Sequence, residues 1–260
     1  MIRHLIMTIG MLCVAWSTAN ADEPGDATPW PTVNLNYAAD RYVSLDQITP
    51  QNAALLGETY SAASLWAHID AICAGTDDYY GGGFAAHEAH RHMFWHSGPR
   101  PPDFAEHHRA GEHACRLAGL GAPESPLKLV GARQVGKGGL AGMRVLAALR
   151  RQLGGRFAVC PFDPVERARI VCVELYPRLF MRMAGHGNAK VRSGDALNRC
   201  LAALGSDPAA VTEETLVDHD TDALVAAAGL RLIAGDPAVW SPVGLDSLAI
   251  RAEGWIFGVT

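Results

Sequence analysis

The sequence predicts an α/β fold over residues 61–260, preceded by a signal peptide at 1–21 and an irregular segment at 22–60. Runs rich in β-branched residues alternate with helical patterns in the long third part, which is typical of layered α/β proteins. Hydrophobic residues make up 49% of the chain and charged residues 19%. This composition supports a buried core and excludes a disordered chain or a multi-span membrane protein.

The N-terminus has the three parts of an export signal. A short positive region at Arg3 and His4 precedes an apolar run from Leu5 to Trp16, and the small-x-small sequence at 19–21 is a cleavage site. The apolar run is too short to be a stable membrane anchor, and no later segment reaches membrane-spanning length. The signal predicts export to the periplasm, and the alternative is a buried N-terminal helix.

The cysteines favour a different compartment. An exported protein usually has an even number of clustered cysteines joined in disulfides. After loss of Cys13 with the signal, this chain keeps an odd number, widely spaced and without a C-x-x-C motif, namely Cys73, Cys115, Cys160, Cys172 and Cys200. These residues are typical of buried thiols in a cytoplasmic protein, so the sequence leaves the compartment open.

Residues 22–60 are polar and rich in turn-forming residues. The sequences WP at 30–31, NYAADRY at 36–42 and SLDQITPQN at 44–52 resemble the mature N-terminus of pyrroloquinoline-quinone (PQQ)-dependent dehydrogenases. In that family a propeller with tryptophan-bearing repeats follows. No repeat of that period follows residue 60, so we expect no quinone pocket and no PQQ site.

From residue 61 the helical and strand patterns can be placed in order. Leu65, Ile69 and Ile72 have helical spacing after a predicted cap at Ser64. The predicted helices are 64–74, 84–96, 103–118, about 142–153, 195–204 and 218–233, and the predicted strands are 127–130, 157–161, 170–175 and 254–259.

Charge is distributed unevenly along the chain. Residues 22–127 contain 14 acidic and 5 basic residues, residues 128–199 contain 4 acidic and 14 basic, and residues 200–260 contain 9 acidic and 2 basic. Such a chain either folds its basic part onto its acidic flanks or presents it to a polyanion such as nucleic acid.

Two motifs have both a chemical and a structural interpretation. Seven histidines lie between 87 and 113, and His92 and His96 would share one helical face as zinc ligands can. However, the HEAH sequence at 87–90 lacks the H-E-x-x-H spacing, which favours a solvated helical hairpin. The sequence VGARQVGKG at 130–138 nearly forms a phosphate-binding loop, but Gly138 replaces the hydroxyl residue that binds magnesium, so a structural turn is favoured.

Carboxylates at the ends of predicted elements form a third candidate site. Glu174 lies in or at the end of a buried strand, where an unpaired charge is costly and needs a cation or a metal. Asp218 and Asp222 open an apolar helix, where acidic residues are typical caps and dipole partners. Alternatively, Asp222, with His219 or Asp218, joins Glu174 around Mg²⁺ or Mn²⁺, which prefer oxygen ligands.

Five ordered blocks in 61–260 resemble one family. They are PLKL with GKGGLAGM at 126–143, PFD at 161–163, VELYPR at 173–178, DHDTDAL at 218–224 and EGWIFGV at 253–259. Together they are similar to the domain of unknown function 429, a predicted RNase H-like nuclease family. The resemblance implies a mixed central sheet with flanking helices. It matches Glu174 and Asp222 to acidic positions of a metal site, with His219 beside them.

The chain departs from this family at its beginning. Family members start with a strand that carries a metal-binding aspartate, and residues 1–60 contain no such Gly-Val-Asp strand. The sequence therefore predicts an incomplete RNase H-like domain, produced by fusion of two coding fragments. Its sheet would expose an edge that the missing strands normally cover.

Three functions follow from these observations. The first is a metal-dependent nuclease with Glu174, Asp222 and His219 as catalytic residues and Glu174, Asp222 and Asp218 as ligands of Mg²⁺ or Mn²⁺. The second is a non-catalytic domain that binds polyanions through the basic segment 128–199. The third, an exported PQQ-dependent dehydrogenase fragment, is disfavoured because the propeller repeats are missing. The oligomeric state is open.

Overall fold

The computed structural model of the protein describes residues 61–260 apart from 103, 105, 106, 122, 132, 133, 188 and 211–215, together with the backbone of 3–9 and 11–17. The predicted cleavage site and the quinoprotein-like segment 22–60 lie outside the described residues. Arg3–Ile9 (β1) and Met11–Ser17 (β2) form an antiparallel hairpin with Arg3 opposite Ser17. The apolar run therefore forms strands and not a helix, and the export signal stays a prediction.

Helices and one small parallel sheet make up the rest of the described chain, which is an α/β arrangement. The helices are α1 (Ala62–Ile72), α2 (Gly82–Ala86), α3 (Ala110–Leu117), α4 (Gly136–Leu153), α5 (Pro177–Met183), α6 (Gly194–Ala203) and α7 (Asp218–Ile233). The sheet pairs β3 (Phe157–Val159) with β4 (Ile170–Cys172). Short 3-10 turns span Arg91–Met93, Gly154–Arg156 and Pro237–Trp240, and a π-helical turn spans Ala249–Glu253.

Two predicted strands are reduced to single bridges. In the segment 127–130 only Lys128 pairs, with Trp95, and in 254–259 only Ile256 pairs, with Glu174. The last segment cannot extend as a strand because glycines with φ of +79° and +95° stand at 254 and 258, which turns the backbone out of the extended region.

Helix boundaries differ from the predictions where capping and glycine packing decide them. Ser61, and not Ser64, caps α1, because the Ser61 hydroxyl accepts from the Ser64 N–H at 3.3 Å. Helix α4 begins at Gly136, before the predicted start near 142, and a Cβ at Gly136 would overlap the Pro126 carbonyl. The glycine-rich block is thus the closely packed first turns of a helix.

The histidine-rich region contains less helix than predicted. Helices over 84–96 and 103–118 were expected, whereas α2 ends at Ala86 and α3 begins at Ala110. A 3-10 turn and a proline-rich stretch with bends at 97–99 lie between them. His92 lies in that turn and His96 lies beyond it, so these residues do not share one helical face.

Two apolar clusters form most of the core. One joins β4 to α5, α6 and α7, and the other joins α1, α2 and α4 to β3. Helices α5 and α7 approach closely because Gly229 leaves room for the Phe180 ring, which a Cβ there would overlap. All five described cysteines are free thiols, as the sequence predicted. No helix in the described part of the chain has the length and apolar character needed to cross a bilayer.

Candidate functional site

Glu174, the buried carboxylate that follows β4, is bound by a single arginine. The side chain of Arg109, at the N-terminus of α3, is 1% exposed, and Glu174 is 7% exposed. Arg109 Nη2 donates to Glu174 Oε1 at 2.6 Å and Nη1 donates to Oε2 at 2.9 Å. This two-point geometry is the strongest way for a guanidinium to hold a carboxylate.

A second carboxylate, Glu112, is held by the same arginine within the first turn of α3. The Arg109 backbone N–H donates to Glu112 Oε2 at 2.6 Å, and Arg109 Nε donates to Oε1 at 2.8 Å. Glu112 is fully buried. Because its side chain reaches back to the residue before the helix, it satisfies a backbone N–H that would otherwise lack a partner.

A third carboxylate, Glu253, brings the C-terminal segment to the same place. Its carbonyl accepts from Arg109 Nη1 at 2.9 Å, and its carboxylate accepts from the Ala110 N–H at 3.2 Å. Gly254 follows with a φ of +79°, so the chain turns directly beside the guanidinium. We call Arg109, Glu112, Glu174 and Glu253 the arginine network.

The arginine network has more acidic than basic groups, and this changes proton binding. Burial raises the pKa of Glu174, although the charge of Arg109 acts in the opposite direction. Burial also raises the pKa of Glu253, partly offset by the hydrogen bond from Ala110. Desolvation disfavours the charged form of a carboxyl group, so proton uptake relieves the excess negative charge here.

The other predicted site residues lie on the first turns of α7 and contact different cations. Lys190 Nζ lies 3.4 Å from Asp218 Oδ2 and 3.8 Å from Asp222 Oδ2. Arg192 Nη1 lies 3.5 Å from Asp218 Oδ1. Asp222 is 4% exposed, and His219 is half-buried on the same turn. Asp218 also suits the positive end of the helix dipole.

The carboxylates as arranged do not fit a divalent metal. Both oxygens of Glu174 accept hydrogen bonds from Arg109, while Asp218 and Asp222 lie against Lys190. Across residues 61–260, leaving out the gaps given above, no group of three or more His, Cys, Asp or Glu side chains is arranged to hold a metal ion. The predicted Mg²⁺ or Mn²⁺ site stays a prediction without geometric support.

Sequence reasoning anticipated that Glu174 needs a cation but missed which one. Arg109 lies 65 positions earlier in the chain, so no local spacing connects the two residues. One signal was present: Arg109 and Glu112 stand three positions apart, which is the spacing of a capping pair and indicates a helix start at Ala110 and not at 103. Glu253 was part of a recognised block but had no assigned role.

The basic segment 128–199 makes several ion pairs with its acidic flanks. Asp70, from α1, is paired with Arg144 at 3.0 Å and with Arg151 at 2.9 Å. On the other side, Asp218 pairs with Lys190 and Arg192. Part of the segment therefore folds onto the flanks, one of the two outcomes that the charge pattern predicts.

Another part of the basic segment faces solvent. Arg156, Arg167 and Arg169 are exposed, and none of the three has a carboxylate partner within the described residues. Arg156 ends the turn before β3, and Arg169 directly precedes β4. The Arg169 N–H donates to the Arg156 carbonyl at 2.9 Å. We call these three residues the arginine edge.

No protein-family model, no curated protein and no solved structure matches this chain.

Proposed function

We propose that residues 61–260 bind nucleic acid as a polyanion through the arginine edge and do not cleave it. In this proposal the domain keeps an RNase H-like architecture as a scaffold, while its inward-facing carboxylates stabilise the fold. The main support is the contrast between exposed arginines without carboxylate partners among the described residues and the buried carboxylates of Glu112, Glu174 and Asp222, which each contact a side-chain cation.

The arginine edge has a geometry that suits phosphates. Arg156 directly precedes β3 and Arg169 directly precedes β4, so both lie at the same end of two paired parallel strands. Neighbouring strands in a sheet are roughly 4.8 Å apart. Arg167 precedes Arg169 by two positions. Guanidinium groups form two-point hydrogen bonds with phosphate oxygens. Glu166 is exposed beside Arg167 and adds one negative charge. The three arginines outweigh it, so the edge keeps a net positive charge.

The arrangement of the carboxylates gives no support to cleavage. Metal-dependent phosphodiester hydrolysis needs carboxylates that converge on the metal ions and leave room for water. Both carboxylate oxygens of Glu174 instead accept hydrogen bonds from the Arg109 guanidinium. The nuclease activity implied by the sequence resemblance is the competing hypothesis.

Fluorescence anisotropy with a labelled DNA duplex tests binding. Neutralisation of three phosphates predicts that raising the salt from about 50 to about 200 mM weakens binding roughly 40-fold. Replacing all three arginines of the edge with glutamine should remove this binding. The control variant Arg199→Gln/Arg251→Gln also loses exposed arginines, on other elements, and should bind as the wild type does.

The same samples test cleavage. After incubation with Mg²⁺ or Mn²⁺, the proposal predicts intact DNA and intact RNA. Metal-dependent cleavage that is lost in both Glu174→Gln and Asp222→Asn would establish the nuclease hypothesis instead. Binding that does not respond to salt, or that survives in the triple variant, would overturn the proposed interface.

A further inference from the structure

A cluster of aromatic rings joins α1 to the segment that follows α2. The His90 ring stacks on Phe84, with centroids 4.2 Å apart and planes 20° from parallel. His68, on α1, meets the His90 ring edge-on at 5.5 Å, and His87 lies 5.4 Å from it. We call His68, His87 and His90 the imidazole cluster. It is separate from the arginine network and from the arginine edge.

His90 is buried in this cluster, with 5% of its surface exposed. Of the histidines whose side chains the structure describes, it is the one that is buried. The Phe84 ring also contacts His68 edge-on at 5.8 Å and Phe94 at 6.3 Å. Ring contacts thus attach Phe84 and His90 to α1 through His68, and Phe94, beyond the 3-10 turn, joins the cluster through Phe84.

The groups that act on His90 all disfavour a positive charge. Burial lowers its pKa below the ordinary value, and the neighbouring His68, His87 and His92 lower it further. A protonated imidazole here would lose hydration and would lie beside other imidazoles that also accept protons.

Carboxylates on the surrounding elements do not compensate this charge. Asp70, the acidic residue of α1, is bound to Arg144 and Arg151, which come from the packed helix α4. Glu88 is exposed in the turn, and the neighbouring Arg91 adds positive charge. Within the described residues, His90 has no carboxylate partner.

We propose that the imidazole cluster is an acid-sensitive latch, which holds residues 82–94 against α1 at neutral pH and releases them at mildly acidic pH. The sign follows from linkage: the pKa of His90 is lower in the latched form than in the released form, so the released form binds protons more tightly. The stability that neutral His90 contributes to the latched form is fully present above the ordinary histidine pKa of about 6.5, and it declines as the pH falls below that value.

Hydrogen–deuterium exchange on the full chain tests the latch, with rates corrected for the intrinsic effect of pH. Between about pH 7.5 and about pH 5, protection of peptides within 82–94 should fall about tenfold for each unit by which the latched form lowers the pKa of His90. Peptides from α7 should keep their protection, because the release is local.

Two variants separate protonation from packing. His90→Phe keeps an aromatic ring but cannot bind a proton, so residues 82–94 should stay protected at acidic pH. His113→Phe removes an exposed imidazole on α3 and should behave as the wild type does. Acid release in His90→Phe equal to that of the wild type would overturn the proposal.

The wild-type protein alone also decides the question if His90→Phe fails to fold. Equal corrected protection of residues 82–94 at both pH values would contradict the latch. So would an NMR titration in which the His90 imidazole of the folded chain gains its proton at or above the ordinary histidine value.

Discussion

Removal of the Arg109 guanidinium is the most informative perturbation of the fold. Arg109→Met keeps an unbranched side chain of similar length and deletes the donors to Glu112, Glu174 and the Glu253 carbonyl. Breaking a buried ion pair by removing one partner destabilises proteins by about 3–5 kcal/mol. Because one guanidinium here serves two buried carboxylates, we expect a loss of about 4 kcal/mol or more in the free energy of unfolding at neutral pH.

Urea denaturation followed by tryptophan fluorescence measures this loss in a double-mutant cycle. Glu174→Gln in the Arg109→Met background removes one unpaired charge, so the double variant should be more stable than the sum of the single effects predicts, by about 1–3 kcal/mol. The loss of unfolding free energy caused by Arg109→Met should also be smaller at acidic pH, because the carboxyl groups of Glu112 and Glu174 that lose their arginine partner bind protons there. Arg116→Met, an exposed arginine on the same helix, is the control and should change stability by about 0.5 kcal/mol or less.

Two results would refute this account of the arginine network. One is a loss for Arg109→Met below about 1 kcal/mol, the range of an exposed ion pair. The other is strict additivity of the two substitutions. If Arg109→Met does not fold, Arg109→Lys can replace it. Lysine keeps the positive charge but cannot form the two-point hydrogen bonds of the guanidinium, so Arg109→Lys should also lower the free energy of unfolding, by a smaller amount.

Three further predictions concern other parts of the structure. Gly229→Ala should destabilise the protein by about 1–3 kcal/mol in urea denaturation, because the added Cβ would overlap the Phe180 ring; unchanged stability would contradict the close packing of α5 on α7. Burial raises the pKa of Glu253, so the stability that its protonated form contributes is complete below the ordinary carboxyl pKa and is lost as the pH rises. The free energy of unfolding of Glu253→Gln should therefore increase relative to that of the wild type between about pH 4.5 and about pH 8. A relative decrease over this range would refute the prediction. Burial raises the pKa of Cys115 and of Cys160 to about 11. Both thiols should therefore react with iodoacetamide far more slowly than free cysteine at neutral pH, which peptide mass spectrometry can measure. Reaction rates equal to those of free cysteine would contradict the raised pKa values.

Local patterns predicted those elements whose boundaries depend on nearby residues. Helix α7 spans 218–233 as expected, because acidic residues open it and an apolar helical pattern follows, in which Gly229 is accommodated by its close packing against Phe180. Strands β3 and β4 lie within their predicted ranges but are shorter. Each ends where it loses its partner, which a single sequence does not specify.

The candidate site was less predictable because long-range pairing decides it. Burial of Glu174 follows from its apolar flanks, and the need for a cation follows from desolvation. Which cation fills that need depends on how the N-terminus of α3 packs against the end of β4, with 65 positions between Arg109 and Glu174. Likewise, only the parallel register of β3 and β4 brings Arg156 beside Arg169.

We propose that the exposed arginines of the arginine edge bind nucleic acid, while the buried carboxylates of Glu112, Glu174 and Asp222 contact arginine and lysine side chains. An anisotropy titration of a labelled duplex, run in parallel with Mn²⁺ and with a chelator, is the decisive test of this proposal. We expect binding in the presence of the chelator, no strengthening by Mn²⁺, a steep loss of binding as salt increases, and full-length DNA recovered afterwards. Binding or cleavage that appears only with Mn²⁺ would contradict the proposed function.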